Sequence, residues 1–323
     1  MRIKNAVIFG LGSIGRRHAQ IVKKLSPGCK IFACRTKKGS LLDTPEGIKE
    51  IDFNTFVKNQ YDIAIISNPS SMHHETLKKV MLADNTKTIF VEKPFCLPEE
   101  IEDSAQLLNK NNKIRVIPGN SLRFHPAVDV LKGLMEKEDY RDAIEAYAHF
   151  GTYMPGWHPW EDYKESYAAK KEFGGGILLT SIHELDLFYH LFGNGVVIAS
   201  FIANYILSEI DVDDSAQMLI QFNKCKIANI SLNFYEKPVD RYIKIIFKNG
   251  FFYWKFKDNV VTFSQNGKES SQNISNAINS MYINMWKKIM NDDVVDFEMT
   301  SVYNSLKAIK LMNENKNGSQ FKK

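Results

Sequence analysis

The glycine-rich turn near the start of the chain constrains the fold more than any other part of the sequence. An apolar run over residues 6–9 leads into a Gly-x-Gly-x-x-Gly motif made by Gly10, Gly12 and Gly15, and apolar residues at helical spacing follow it. A dinucleotide-binding motif requires this strand–turn–helix context. Gly10 permits a tight turn, Gly12 lets the backbone approach a pyrophosphate, and Gly15 lets the helix pack close to the strand. We therefore expect dinucleotide phosphates at the helix N-terminus; the alternative is a glycine-rich turn that binds nothing.

The residues after the second predicted strand, 30–34, bear on the choice of cofactor. In NAD-binding folds an acidic residue about 20 positions past the glycines usually binds the ribose 2′-hydroxyl. Here that place holds Arg35, Thr36 and two lysines, and the next acid is Asp43. A guanidinium, a hydroxyl and ammonium groups suit a 2′-phosphate. The sequence therefore favours NADP over NAD, and the alternative is a solvated basic turn.

Further apolar runs over 61–67, 88–91 and 114–117 alternate with helical patterns over 72–83 and 98–111. This alternation predicts a doubly wound parallel sheet within a first domain of residues 1–121. Ligands of such sheets bind beyond the carboxyl ends of the strands. The predicted cofactor contacts are therefore Gly10, Gly12, Ser13, Ile14, Gly15, Arg35, Thr36, Ser67, Asn68, Pro69, His73, Glu92, Lys93 and Asn120.

Composition excludes several classes of protein. The 323 residues suffice for two domains, and 44% hydrophobic with 24% charged residues is typical of a globular protein. The net charge of +5 is modest and has no basic stripe of the kind that binds nucleic acid. The four cysteines lack Cys-x-x-Cys spacing, which indicates reduced thiols of a cytoplasmic protein. No signal peptide and no membrane-spanning segment is expected.

Residues 122–323 predict a second domain rich in strands. A helix is expected over 126–136, and helical patterns over 274–290 and 298–313 close the chain. Strand-like runs cover 144–150, 197–207, 216–222, 227–235, 242–247, 251–256 and 260–263. Several of these runs alternate apolar with polar residues, as antiparallel strands with one covered face do. The sequence thus predicts an α+β domain after the α/β domain.

Two stretches of the second domain carry candidate chemistry. Segment 151–171 is rich in aromatic residues, which suit stacking on a sugar ring or a base, or form a lid packed against the sheet. After three glycines, one continuous helix is expected over 177–192, with Thr180, His183, Glu184 and Leu187 sharing a face. A zinc-binding His-Glu-x-x-His motif would need a histidine at position 187, so no metal site is expected.

The order of GLGSIGRRH, SNPSSMHHE, VEKP and GGGILLTSIHELD resembles the Gfo/Idh/MocA oxidoreductases over almost the whole chain. The resemblance implies that Lys93 lies beside the nicotinamide and the substrate hydroxyl, and that the following proline often has a cis peptide bond. It implies an acid/base role for His183, usually with an aspartate one turn earlier, where this chain has Leu179 and Thr180. It also implies a Rossmann domain and a large open, mostly antiparallel sheet whose exposed face forms a homo-oligomer, either a dimer or a tetramer.

These observations predict an NAD(P)-dependent oxidoreductase acting on a secondary alcohol or ketone of a sugar, cyclitol or nucleotide-linked sugar. Lys93 and His183 are the expected catalytic residues. The expected substrate contacts are Lys93, Arg123, Trp157, Tyr167, Thr180 and His183. One alternative is a non-catalytic dinucleotide-binding sensor, in which Thr180 marks the loss of the aspartate. Another is a redox-neutral sugar transformation that uses the dinucleotide transiently.

Overall fold

The computed structural model describes residues 2–35, 43–111, 113–157, 162–274, 279–293 and 296–316. The chain divides into two compact units, the first made of Met1–Asn120 and Tyr282–Met299. The second unit is made of Ser121–Met281 and Thr300–Lys323. A segment near the C-terminus therefore belongs to the first unit, which the boundary expected at residue 121 did not include.

The first unit contains a parallel six-stranded sheet in the order β3-β2-β1-β4-β5-β6. Its elements are β1 (Asn5–Phe9), α1 (Ser13–Leu25), β2 (Lys30–Cys34), β3 (Ile48–Ile51), α2 (Phe53–Val57), β4 (Tyr61–Ile66), α3 (His73–Ala83), β5 (Thr86–Glu92), α4 (Ile101–Asn109) and β6 (Arg115–Gly119). The central strands are apolar and buried, for example Val7 and Ile8 of β1, because both faces of the sheet are covered. The predicted doubly wound sheet is confirmed.

The second unit contains an eight-stranded sheet in the order β14-β13-β12-β11-β7-β10-β9-β8. Its elements are α5 (Pro126–Met135), β7 (Ala143–Tyr153), α6 (Ile177–Thr180), α7 (His183–Phe192), β8 (Gly195–Ala203), β9 (Ser215–Phe222), β10 (Cys225–Asn233), β11 (Tyr235–Phe247), β12 (Gly250–Lys255), β13 (Val260–Gln265) and β14 (Lys268–Asn273). The strands pair antiparallel except β7 with β10. The mostly antiparallel sheet is confirmed.

The last two helices are α8 (Ser280–Met290), which belongs to the first unit from Tyr282, and α9 (Met299–Lys316), which belongs to the second unit from Thr300. On one face of the large sheet, Ile243 and Ile245 of β11 are buried. Lys244, between them, points to the opposite face and is exposed. One face of this sheet is therefore covered and the other is open, as alternation predicts.

The helix predicted over 177–192 is broken, so this prediction was wrong. Helix α6 ends at Thr180 and α7 begins at His183. Ser181, at φ −111° and ψ 34°, leaves the helical region, which interrupts the hydrogen-bond ladder. Thr180 and His183 are consequently not neighbours on one helix face. The helix expected from residue 274 also begins later, at Ser280.

The cysteines behave as the sequence predicted. All four are unpaired, and Cys29, Cys96 and Cys225 are buried. Burial raises the pKa of the Cys34 and Cys225 thiols to about 11 and that of Cys96 to about 12. These three thiols are therefore protonated at neutral pH, and Cys34 is half-buried whereas the other two lie in the core. None of the helices in the described residues has both the length and the apolar character needed to span a lipid bilayer.

Candidate active site

Of the three glycines in the turn between β1 and α1, one has space for a side chain and the other two have none. Gly10 has φ +94°, and a Cβ there would lie 2.4 Å from the backbone N of Asn68. A Cβ at Gly15 would lie 2.1 Å from the Gly10 carbonyl oxygen. A Cβ at Gly12, in contrast, would have no described heavy atom within 4 Å. Gly10 and Gly15 are thus needed by the fold, whereas Gly12 faces open space.

This open space lies at the N-terminus of α1, which starts at Ser13 and has no acidic residue in its first turn. Gly12 and Ser13 are exposed, and Ile14 is half-buried. Unbonded N–H groups at a helix N-terminus attract anions. The residues present therefore fit the pyrophosphate of a dinucleotide. Gly10, Gly12, Ser13, Ile14 and Gly15 would hold it.

The loop after β4 forms the other wall of the glycine turn. Ser67 Oγ donates a hydrogen bond to the Gly10 carbonyl at 2.8 Å. His73 is buried, and its two ring nitrogens lie 2.7 Å from the Pro94 carbonyl and 2.8 Å from the Asn68 carbonyl. Burial lowers the pKa of His73, against the opposing effect of these two carbonyls. His73 thus joins the loop 67–69 to the loop after β5 from behind.

Arg35 forms an ion pair with Glu50 of the same unit. Its Nη1 lies 2.8 Å from Glu50 Oε1 and 3.3 Å from Thr44 Oγ1, and the Arg35 side chain is 14% exposed. Glu50 comes from β3, which lies next to β2. A 2′-phosphate would have to share this guanidinium with Glu50. Thr36, the other residue predicted to select NADP, lies outside the described residues.

Glu92 ends β5, and Lys93 follows it, at the same edge of the sheet as the glycine turn. The Lys93–Pro94 peptide bond is cis, as the family resemblance implied. Glu92 is buried, and its Oε2 accepts a hydrogen bond from the Lys93 backbone N–H at 3.0 Å. Burial would raise the pKa of Glu92, but the hydrogen bond and the electrostatic interaction with His18, followed by the charge of Lys93, lower it overall. Asn120 directly follows β6 and is buried.

The second unit contains a cavity of about 250 Å³ that brings together four residues predicted to contact substrate. It is lined by Phe150, Trp157, Tyr167, Thr180, Ser181, His183, Glu184 and Arg241. Trp157 is held in place because its Nε1–H donates to Thr152 Oγ1 at 2.7 Å. The Trp157 ring also packs edge-on against Phe234, at 5.2 Å between centroids. Tyr167 is 43% exposed.

Glu184 and Arg241 line this cavity although the sequence did not single them out as binding residues. Glu184 is fully buried, and its Oε1 accepts from Arg241 Nε at 2.6 Å. The Arg241 guanidinium lies 5.0 Å and 5.1 Å from the ring centroids of Phe150 and Phe256. The pairing of β11 with β7 sets Arg241 opposite Phe150. Only this long-range pairing reveals Arg241, whereas Glu184 could have been found as the neighbour of His183.

Arg123 is buried rather than available to a substrate, contrary to the prediction. It is 1% exposed, and its Nε donates to Asp186 Oδ2 at 2.8 Å. Its Nη2 donates to Ser301 Oγ at 2.7 Å. The guanidinium therefore ties α7 to α9, and Asp186 is directed at Arg123. His125 likewise has a structural role, because its Nδ1 accepts from the Ala127 N–H and caps α5.

The fold and the two clusters define a class of protein, the two-domain oxidoreductases with an N-terminal Rossmann fold. The family model described as "Oxidoreductase family, NAD-binding Rossmann fold" matches residues 4–119. The model described as "GFO/IDH/MocA C-terminal domain" matches residues 131–253. The chain belongs to the Gfo/Idh/MocA family of NAD-binding oxidoreductases.

Curated relatives are distant and match in part. The chain is 28% identical over 134 residues to a 2,7-anhydro-N-acetylneuraminate hydratase of Escherichia coli, covering 41% of this chain and 34% of that protein. It is 26% identical over 229 residues to a scyllo-inositol 2-dehydrogenase (NAD(+)) of Bacillus subtilis, covering 67% and 63%. The chain therefore matches less than two thirds of the length of these relatives.

Solved structures match over nearly the whole chain. An oxidoreductase domain protein from Kribbella flavida has a TM-score of 0.79 at 14% identity, covering 99% of this chain and 98% of that one. GenD2 from gentamicin A biosynthesis, solved in complex with NAD, has a TM-score of 0.78 at 15% identity, covering 99% and 96%. At these identities the similarity establishes the fold.

Proposed function

We propose that the protein is an NAD(P)-dependent oxidoreductase that transfers a hydride between nicotinamide and a carbon bearing a secondary alcohol or ketone. The observation that carries the proposal is the position of Lys93, which directly follows β5 at the same edge of the parallel sheet as the open space beside Gly12. Ligands of doubly wound sheets bind at this edge. Family membership and the dehydrogenase among the relatives support the same reaction type.

The chain's own residues would bind, orient and move a proton, while the bound nicotinamide supplies the hydride chemistry. In this proposal Lys93 hydrogen-bonds the reacting oxygen and stabilises the negative charge that develops on it. His183 exchanges the proton with that oxygen, since an imidazole titrates near neutral pH. Thr180 replaces the usual aspartate, so it can hydrogen-bond but cannot stabilise an imidazolium by charge.

The cavity of the second unit suggests a sugar, cyclitol or nucleotide-linked sugar as the substrate. Trp157 and Tyr167 offer aromatic faces that stack on a sugar ring. Arg241, held against Glu184, offers N–H donors that suit hydroxyl or anionic groups. We propose NADP as the favoured cofactor, with Arg35 and Thr36 at its 2′-phosphate, and NAD as the alternative.

We also propose a homo-oligomer, a dimer or tetramer, formed through the open face of the large sheet. Val196 and Phe201 of β8 lie opposite Gln221 and Gln217 on this face and are 67% and 39% exposed. Exposed apolar side chains grouped on one face are typical of an interaction surface. Light scattering of wild type and a Val196→Lys, Phe201→Lys variant tests this proposal, because the variant should be smaller.

The functional test is oxidation of NADPH and NADH by a panel of keto-sugars and keto-cyclitols, together with mass spectrometry of any copurifying ligand. The proposed function predicts oxidation of a bound cofactor by at least one compound. A protein that binds the cofactor without oxidising it would support the sensor alternative, which the presence of Thr180 in place of an aspartate favours. A product isomeric with the substrate or differing from it by water, with no net change in cofactor, would support the redox-neutral alternative.

A further inference from the structure

A buried chain of three side chains leads from α8 to the carboxylate beside Lys93, entirely within the first unit. Trp286 of α8 donates its Nε1–H to His18 Nδ1 at 2.9 Å. His18 Nε2 lies 2.7 Å from Glu92 Oε1, and Glu92 Oε2 accepts the Lys93 backbone N–H at 3.0 Å. Trp286 and His18 are 0% exposed and Glu92 is 4% exposed, so water does not compete for these bonds.

The indole N–H of Trp286 decides which ring nitrogen of His18 carries a proton. An indole N–H can only donate, so His18 Nδ1 accepts and carries no proton. The proton of a neutral imidazole is then on Nε2, which donates to Glu92. An imidazolium, with protons on both nitrogens, could not accept from Trp286.

We propose that Trp286 keeps the proton of His18 on Nε2, and that Trp286, His18 and Glu92 together form a positioning relay that fixes the main chain at Lys93. The inference rests on the proposed function, because the residue that the relay positions, Lys93, is catalytic only in that proposal. None of the three side chains need touch substrate. Their effect is to hold one Glu92 oxygen against His18, so that the other is fixed against the Lys93 N–H.

Other charged and titratable groups around His18 do not replace this relay. Arg17, its neighbour on α1, lies over the Tyr282 ring at 5.0 Å, and Tyr282 packs edge-on against His18 at 5.9 Å. Two further titratable groups interact with Glu92. The charge of Lys93 lowers the pKa of Glu92, and the charge of Glu92 acts to raise the pKa of the buried His73. Both ring nitrogens of His18 are already taken by Trp286 and Glu92, so Arg17 and Tyr282 act on its ring alone.

The test is Trp286→Phe, which keeps an aromatic ring and removes the N–H. Trp254→Phe is a matched control, because Trp254 is also buried and its Nε1 hydrogen-bonds none of the described residues. The readouts are the ¹⁵N resonances of His18 and the amide resonance of Lys93 in the full-length protein with NADPH bound. They are followed from about pH 8 to about pH 5, a range that spans ordinary histidine titration.

In wild type and Trp254→Phe, the relay predicts that His18 stays in the neutral Nε2–H form and that the Lys93 amide does not shift. In Trp286→Phe, His18 should take up a proton on Nδ1 and the Lys93 amide should move with the same titration curve. A wild-type His18 that titrates, or a Lys93 amide that ignores Trp286→Phe, would overturn the proposal.

Turnover adds a second readout that separates this inference from the proposed function. With any substrate found, Trp286→Phe should lower kcat by up to about 10-fold, the upper end of the effect of one neutral hydrogen bond, and make kcat pH-dependent. The Kd for NADPH should stay within about 2-fold of wild type, far below the effect of losing a hydrogen bond to a charged group. If no substrate is turned over by wild type, the proposed function fails, while the resonances still decide the relay.

Discussion

Among the glycines of the first turn, Gly12 is the residue whose replacement separates binding from folding. Its backbone, at φ −76° and ψ −165°, is extended and open to any side chain, and valine favours this region. Gly12→Val should abolish dinucleotide binding and leave the free energy of unfolding close to that of wild type, because the added carbons occupy the place of the pyrophosphate. Fluorescence titration with NADPH and urea unfolding measure the two effects.

Gly15→Val is the matched control for this prediction, since its Cβ would lie 2.1 Å from the Gly10 carbonyl oxygen. This variant should lose stability as well as binding. If Gly12→Val gives the NADPH titration curve of wild type, the glycine turn does not bind the pyrophosphate.

The choice of cofactor also belongs to single residues. Arg35→Gln should erase a preference for NADP over NAD, because it removes a charge-assisted contact worth about 1–3 kcal/mol. Glu50→Gln is the complementary variant. It should strengthen NADP binding, since Glu50 holds Arg35 Nη1 at 2.8 Å. Equilibrium titration with both cofactors measures the preference, and wild type binding NAD more tightly than NADP would contradict it.

At the scale of elements, the buried pair Arg123–Asp186 holds α7 against α9. Arg123→Met should lower the free energy of unfolding by about 3–5 kcal/mol, because it leaves the Asp186 carboxylate buried without its partner. The double variant Arg123→Met, Asp186→Leu should recover much of this loss, since no buried charge remains. Urea denaturation measures both. An Arg123→Met protein with wild-type stability and a raised KM would indicate that Arg123 contacts the substrate after all.

Elements explain what could be predicted from the sequence. The strands of the parallel sheet are apolar runs that stop at polar residues, so Ser67 and Glu92 could be placed at the carboxyl edge. Strand β14 was missed because all six of its residues are exposed and show no alternation. The break at Ser181 has no glycine or proline to mark it. Arg241 enters the cavity through the pairing of β11 with β7, which no local pattern encodes.

At the scale of the whole molecule, the proposed function requires two residues that belong to separate units to act in one reaction. Lys93 follows β5 in the first unit, and His183 begins α7 in the second. If both act on one substrate oxygen, they share one proton-transfer event. Their effects on kcat should then be less than multiplicative, as expected for groups that act as a unit.

The most direct measurement of this claim is kcat for wild type, Lys93→Ala, His183→Ala and the double variant, on a substrate identified from the panel. Lys87→Ala, on an exposed lysine of β5, and His190→Ala, on α7, are matched controls that should keep wild-type activity. Each catalytic single variant should lose about 10²–10⁴-fold in kcat, and the double variant should lose less than the product. His183→Ala should bind NADPH as wild type does. A His183→Ala enzyme with wild-type kcat would contradict the account.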